Sequence, residues 1–67
     1  MIHLTVNGDP WTLAEPVSLA AFLASRGLSG RLVVVERNRV IVPRDQYAET
    51  VLEEGDTLEI VQAMAGG

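Results

Sequence analysis

The chain has no cysteine in its 67 residues, so its stability has to come from a packed aliphatic core. Neither a disulfide framework nor a thiolate metal site is open to it. A domain this short sits near the lower limit for unaided folding. The hydrophobic content of 48%, chiefly Val, Leu and Ile, is too high for a disordered chain. Those residues must therefore line faces of regular elements, and their spacing shows which ones.

Ile2, Leu4 and Val6 alternate with His3 and Thr5, which predicts a half-buried strand. Asn7-Gly8 is a hairpin signal, since both residues tolerate the positive φ of a tight turn. Trp11 and Leu13 share one face of the returning strand, whose start Pro10 restricts. Ser18 is suited to cap a helix, with Val17 and Phe22 spaced as a hydrophobic staple. Leu19, Phe22 and Leu23 form the apolar stripe of that helix. Arg26 complements its C-terminal dipole, and Gly27 supplies a left-handed stop. Leu32 to Val35 reads as a buried strand and Arg37-Asn38-Arg39 as a turn. Val40-Ile41-Val42 forms a short strand, and Arg44 to Ala48 an irregular or single-turn helical connector. Glu53 to Asp56 is a charged turn, and Thr57 to Val61 alternates as a final strand.

This order predicts an α+β domain, a mixed four- to five-stranded sheet with one helix packed on one face. Phe22 and Leu23 should be buried against Val33, Val35, Leu58 and Ile60. If the last strand runs parallel to the first, the connection crosses over the sheet, and the fold is a β-grasp, or ubiquitin-like fold. Residues 1–63 form the domain in this reading, with 64–67 a flexible tail. Val34 and Val61 fall on the face opposite the helix by alternation and are the candidate partner surface.

Nine acids against five bases give a net charge of -4, which disfavours nucleic acid. Asp45, Glu49, Glu53, Glu54, Asp56 and Glu59 follow Arg44 with no base between them. Such a stretch is either a solvated face or a surface that steers a basic partner. No apolar run approaches the ~20 residues that cross a bilayer, and no leader pattern opens the chain, so a cytoplasmic protein without membrane contact is expected. With no lysine, the chain cannot link to itself through side-chain isopeptides.

Enzyme chemistry is hard to place. His3 is the one histidine and lies among solvent-side residues, so no nucleophile–base pair and no zinc site is expected. Glu53, Glu54 and Asp56 lack the spaced oxygens of a calcium loop. No Gly-rich loop opens the helix for nucleotide. Trp11 and Tyr47 read as packing residues rather than ligand platforms. Arg44 either docks a partner carboxylate or phosphate or, the favoured reading, pairs with Asp45 or a nearby glutamate. No residue is assigned a catalytic role or a metal. One reactive group survives, the α-carboxylate of Gly67. The end Ala65-Gly66-Gly67 reads either as a frayed terminus or as a slender tail that fits a narrow channel.

Val42-Pro43-Arg44, the Gly55-Asp56 turn, the apolar strand after it and Ala65-Gly66-Gly67 together resemble the ThiS family, sulfur carriers of bacterial thiamine synthesis. The resemblance implies a β-grasp carrier acted on by other proteins. A ubiquitin-activating-type enzyme would use ATP to adenylate Gly67, and the chain itself would bind no cofactor. Sulfur from a donor such as a persulfide-bearing protein would make a thiocarboxylate for thiazole synthase. Gly66 would give clearance, while Met64 and Ala65 would line the docking path of the tail. Arg39 and Val40 stand where the family more often has a glycine and an acid. The small subunit of molybdopterin synthase and a β-grasp interaction module with an inert tail are the alternatives.

Overall fold

A computed structural model describes residues 1–28 and 32–62. The elements are β1 (Ile2–Val6), β2 (Asp9–Leu13), α1 (Leu19–Ser25), β3 (Val33–Arg37), β4 (Val40–Ile41), a 3-10 turn (Arg44–Gln46) and β5 (Thr57–Gln62). The sheet order is β2-β1-β5-β3-β4. β1 and β5 are parallel neighbours, while β1·β2, β3·β4 and β3·β5 are antiparallel. This is the β-grasp arrangement. The division expected at residue 63 lies outside the described residues.

Both hairpins turn through two residues of positive φ, as strands with right-handed twist require. Asn7 and Gly8 sit at φ 50° and 86°, Asn38 and Arg39 at 52° and 71°. Arg37 belongs to β3, so the second turn is narrower than the predicted Arg37-Asn38-Arg39. Arg39 is the costly member, because a Cβ crowds the backbone there. Pro10 lies inside β2 opposite Thr5, tolerated because β2 is an edge strand and needs no outward N–H.

Ser18 caps α1 by accepting a hydrogen bond from the Ala21 N–H at 3.0 Å. The next free donors go to the connector after β4: Leu19 N–H to Thr50 O at 2.7 Å and Ala20 N–H to Tyr47 O at 3.0 Å. These bonds tie residues 47–50 to the helix start and carry Leu52 into the core. Gly27 ends the helix at φ 74°.

The core comprises Ile2, Leu4, Val6, Leu19, Phe22, Leu23, Val35, Leu52, Leu58 and Ile60. The predicted helix-on-sheet contact is present, with Val33 packed at its margin. Leu32 to Val35 is not a buried strand, however. Val35 is fully buried, whereas Leu32 and Val34 are 56% and 49% exposed. β3 has the core on one face, so its apolar run is divided between two environments. Arg26 is the C-cap residue of α1, at the helix end as expected, and its guanidinium lies 4.3 Å from the centroid of the Trp11 ring. That stack adds a specific cation–π contact. Trp11 in turn stands edge-on to Phe22, with centroids 5.6 Å apart.

Candidate functional site

β5 organises everything that bears on function, because it is central in the sheet and runs toward the sequence 63–67. Met64, Ala65, Gly66 and Gly67 themselves lie outside the described residues. What the structure describes is a platform formed by the residues that precede them in the chain.

One part of that platform is apolar. Val34 and Val61 are direct cross-strand partners and are 49% and 61% exposed. Their sequence neighbours Val35 and Ile60 are buried, so the pleat turns this pair away from the helix. Glu36 and Glu59 pair next to them, with Ile41 opposite Glu36. Like charges set directly opposite one another weaken a sheet. The face thus joins an apolar pair to an acidic pair. The expected residues are brought together here, and Ile41, not foreseen, joins them across β3.

The other part is a buried polar anchor at the start of β5. The 53–56 segment is the expected charged turn, yet within it Asp56 is only 5% exposed. Its Oδ2 accepts from Arg37 Nε at 2.9 Å and from the Glu53 N–H at 2.8 Å, and its Oδ1 accepts from Asn38 Nδ2 at 3.1 Å. Asn38 Oδ1 accepts the Thr57 N–H at 3.0 Å. The carboxylate therefore locks the β3–β4 turn to the β5 entry. A pattern scan misses this, because an Asp after Gly in an acidic run looks like an ordinary turn residue. Arg37, not Arg44, is the paired arginine. Among the described residues Arg44 makes no ion pair, while Glu53 and Asp56 pair with Arg37 and Glu54 with His3.

Burial pushes the Asp56 carboxyl up. The Glu53 N–H, the Asn38 amide and the Arg37 guanidinium outweigh it and hold the pKa below the ordinary 3.8. A folded value below the unfolded one contributes stability above the unfolded pKa and loses it as pH falls through the folded one. Urea midpoints should therefore drop as pH falls below about 3.8. Asp56→Asn should be less stable at neutral pH and show a shallower acid limb. An unchanged limb would remove Asp56 from the acid transition.

His3 is exposed and its Nδ1 lies 3.1 Å from Glu54 Oε1. The His3 backbone N–H, followed by its ring, holds Glu54 below its usual range. This pair fastens β1 to the 53–56 turn and is too open to water for acid–base work. An open groove of about 360 Å³ lies beside β4, lined in part by Arg37, Ile41, Pro43 and Thr50. Its one cation is already committed to Asp56. No cluster of potential metal ligands occurs among the described residues, and no helix there is long and apolar enough to cross a membrane.

A family model, that of the ThiS family, matches residues 4–67. The chain belongs to the ThiS family. This ThiS-family chain is 42% identical to the sulfur carrier protein ThiS of Bacillus subtilis over 67 residues, covering all of both chains. It is 39% identical over 66 residues to a thiazole synthase of Paramagnetospirillum magneticum, covering 98% of this chain but 20% of that protein. A second thiazole synthase, from Magnetococcus marinus, is matched at 38% over an equal share. The chain thus spans about a fifth of these two relatives. Among solved structures, the thiamine biosynthesis protein ThiS of Geobacter metallireducens superposes with a TM-score of 0.83 at 32% identity. That match covers 98% of this chain and 100% of the other.

Proposed function

We propose that this chain is a sulfur carrier of thiamine biosynthesis, and that Gly67 is the group that carries the sulfur. The family match through residues 4–67, which includes Ala65-Gly66-Gly67, carries this reading. The described residues supply a sheet, a polar anchor and an apolar face, and their one histidine–carboxylate pair, His3–Glu54, is open to water. The chemistry accordingly belongs to partners.

A carboxylate is a poor acyl donor because oxide would have to leave. In the proposed sequence, a Gly67 carboxylate oxygen attacks the α-phosphorus of ATP on a ubiquitin-activating-type enzyme, and pyrophosphate departs. The resulting acyl-adenylate is a mixed anhydride. A sulfur nucleophile adds to its carbonyl carbon, AMP leaves with the C–O bonding pair, and sulfur remains on the glycine. If a persulfide-bearing protein is the donor, the first product is an acyl disulfide. A thiol then attacks the donor protein's sulfur in that S–S bond, forms a new disulfide with it, and the thiocarboxylate leaves with the bonding pair. Thiazole synthase is the proposed acceptor, supported by the two thiazole synthases that contain a segment similar to this chain.

Intact-mass measurement after incubation with the adenylating enzyme, ATP and sulfide tests the reading. One sulfur should replace one oxygen, and the change should map to the C-terminal fragment. Modification of any side chain would sink it, as would equal loading of a chain lacking Gly67.

The apolar pair Val34–Val61 is the proposed docking centre, with Glu36 and Glu59 at its rim. Val61 is 61% exposed, so a charge there costs the fold little. Val61→Asp should raise the Kd for the adenylating enzyme about tenfold or more with the melting temperature nearly unchanged. Titration calorimetry that returns the parental Kd would move the docking surface elsewhere.

A further inference from the structure

A central strand needs hydrogen-bonding neighbours on both sides, and its peptide groups alternate between them. β5 has β3 beside it from Leu58 to Gln62. On its other side β1 stops early. The parallel register is Thr5↔Thr57 and Val6↔Leu58, after which the chain turns away at Asn7-Gly8. The Leu58 carbonyl still accepts from the Asn7 backbone N–H at 2.9 Å. Ile60 faces the same way two residues later, where the backbone of β1 no longer runs.

The Asn7 side chain fills that place. Its Nδ2 donates to the Ile60 carbonyl at 3.1 Å, and its Oδ1 accepts from the Ile60 N–H at 2.7 Å. A primary amide offers the same donor and acceptor as a peptide group, so Asn7 extends the ladder by one step. Both bonds are partly buried, which raises the cost of losing them. Asn38 works at the other end of β5, where its Oδ1 takes the Thr57 N–H at 3.0 Å. Both asparagines have positive φ, 50° and 52°. Each serves a hairpin with its backbone and β5 with its amide.

We infer that Asn7 is a positioning residue for the carrier reaction, fixing through Ile60 the line along which the chain leaves β5 toward Gly67. This rests on the functional reading above. Ile60 is followed by two further strand residues, and Gly67 comes within five positions of Gln62. Loosening of β5 at Ile60 changes the direction in which Gln62 hands on the chain, and at the reacting carbonyl a shift of about 1 Å can cost on the order of 100-fold in rate. Val61 stays paired with Val34 through the β3 ladder, which keeps the docking pair together, so the loss should fall on turnover.

Asn7→Gly separates the two roles. It keeps the positive φ of the turn and deletes the amide. The full-length protein is compared with Asn7→Gly and Asn38→Gly in two measurements. In amide exchange by NMR, the Ile60 N–H should lose protection about tenfold in Asn7→Gly, while Asn38→Gly leaves it protected and exposes Thr57. In loading by the adenylating enzyme with ATP and sulfide, Asn7→Gly should lower kcat about tenfold with KM within about twofold. Asn38→Gly, assayed where it is folded, should keep the parental kcat. If Asn7→Gly fails to fold, Asn7→Asp replaces it, retaining the acceptor for the Ile60 N–H and losing the donor, with kcat reduced to a lesser degree. Parental kcat in the Asn7 variant, or equal losses in the Asn7 and Asn38 variants, overturns the positioning role and leaves the carrier reading standing. A parent protein that is not loaded at all overturns the carrier reading, and the positioning role falls with it.

Discussion

Gly67→Val is expected to abolish sulfur loading while the melting temperature stays at its parental value. The reasoning begins with what a β-branched side chain does to a narrow channel. Glycine has no Cβ, so an extended run of Gly66-Gly67 presents backbone and nothing else. A valine brings two methyl groups beside the carbonyl that must be attacked. An enzyme that holds this carbonyl in line with the α-phosphate of ATP tolerates little displacement, and about 1 Å is worth on the order of 100-fold. Among the described residues the core runs from Ile2 to Ile60, and the melting temperature is expected not to depend on position 67. Gly66→Val should impair loading strongly, being one residue further from the reacting atom. Mass spectrometry of the loading reaction, alongside thermal unfolding of each variant, checks both effects. Loading of Gly67→Val at even a tenth of the parental rate would show that the channel is not selective for a bare backbone.

The largest stability effect should come from Leu23→Ala. Leu23 is 3% exposed and sits on the helix face that meets Val35, Leu58 and Ile60 in the core. Truncation removes the transfer free energy of the lost methyl groups and leaves a cavity, together costing ~2–5 kcal/mol. At roughly 0.05–0.15 kcal/mol per residue, a domain of this size has little more than that in reserve. Urea unfolding should show a midpoint near zero denaturant or an unfolded protein at room temperature. Val34→Ala makes the contrast, since Val34 is 49% exposed on the other face and its loss should fall within about 0.5 kcal/mol. Equal costs at the two positions would mean that the helix does not cover the face assigned to it.

The elements were legible where their signals are local. Asn7-Gly8, Ser18, Gly27 and the alternation of Ile2, Leu4 and Val6 act through turn geometry, capping or a two-residue period. All of these are properties of neighbours in the chain. The pairing of Val34 with Val61 was half legible. Alternation put both on the outer face, but the register that sets them opposite each other, with Ile41 close by, belongs to the sheet.

What sequence left open were residues whose partners lie far away. Leu52 has no periodic signal and becomes a core residue because Leu19 and Ala20 bond to the connector before it. Asp56 sits in an acidic run and is buried because Arg37 and Asn38, in another hairpin, supply its donors. Arg26 looked like a helix-end charge and rests on Trp11 from the edge strand. Asn7 announced a turn, while its amide substitutes for a strand that ends too soon. Composition and local pattern determined that this chain would form a small helix-on-sheet domain with a glycine end. Which polar side chains became structural was decided by the tertiary fold, because a buried hydrogen bond depends on partners that only chain closure brings within 3 Å.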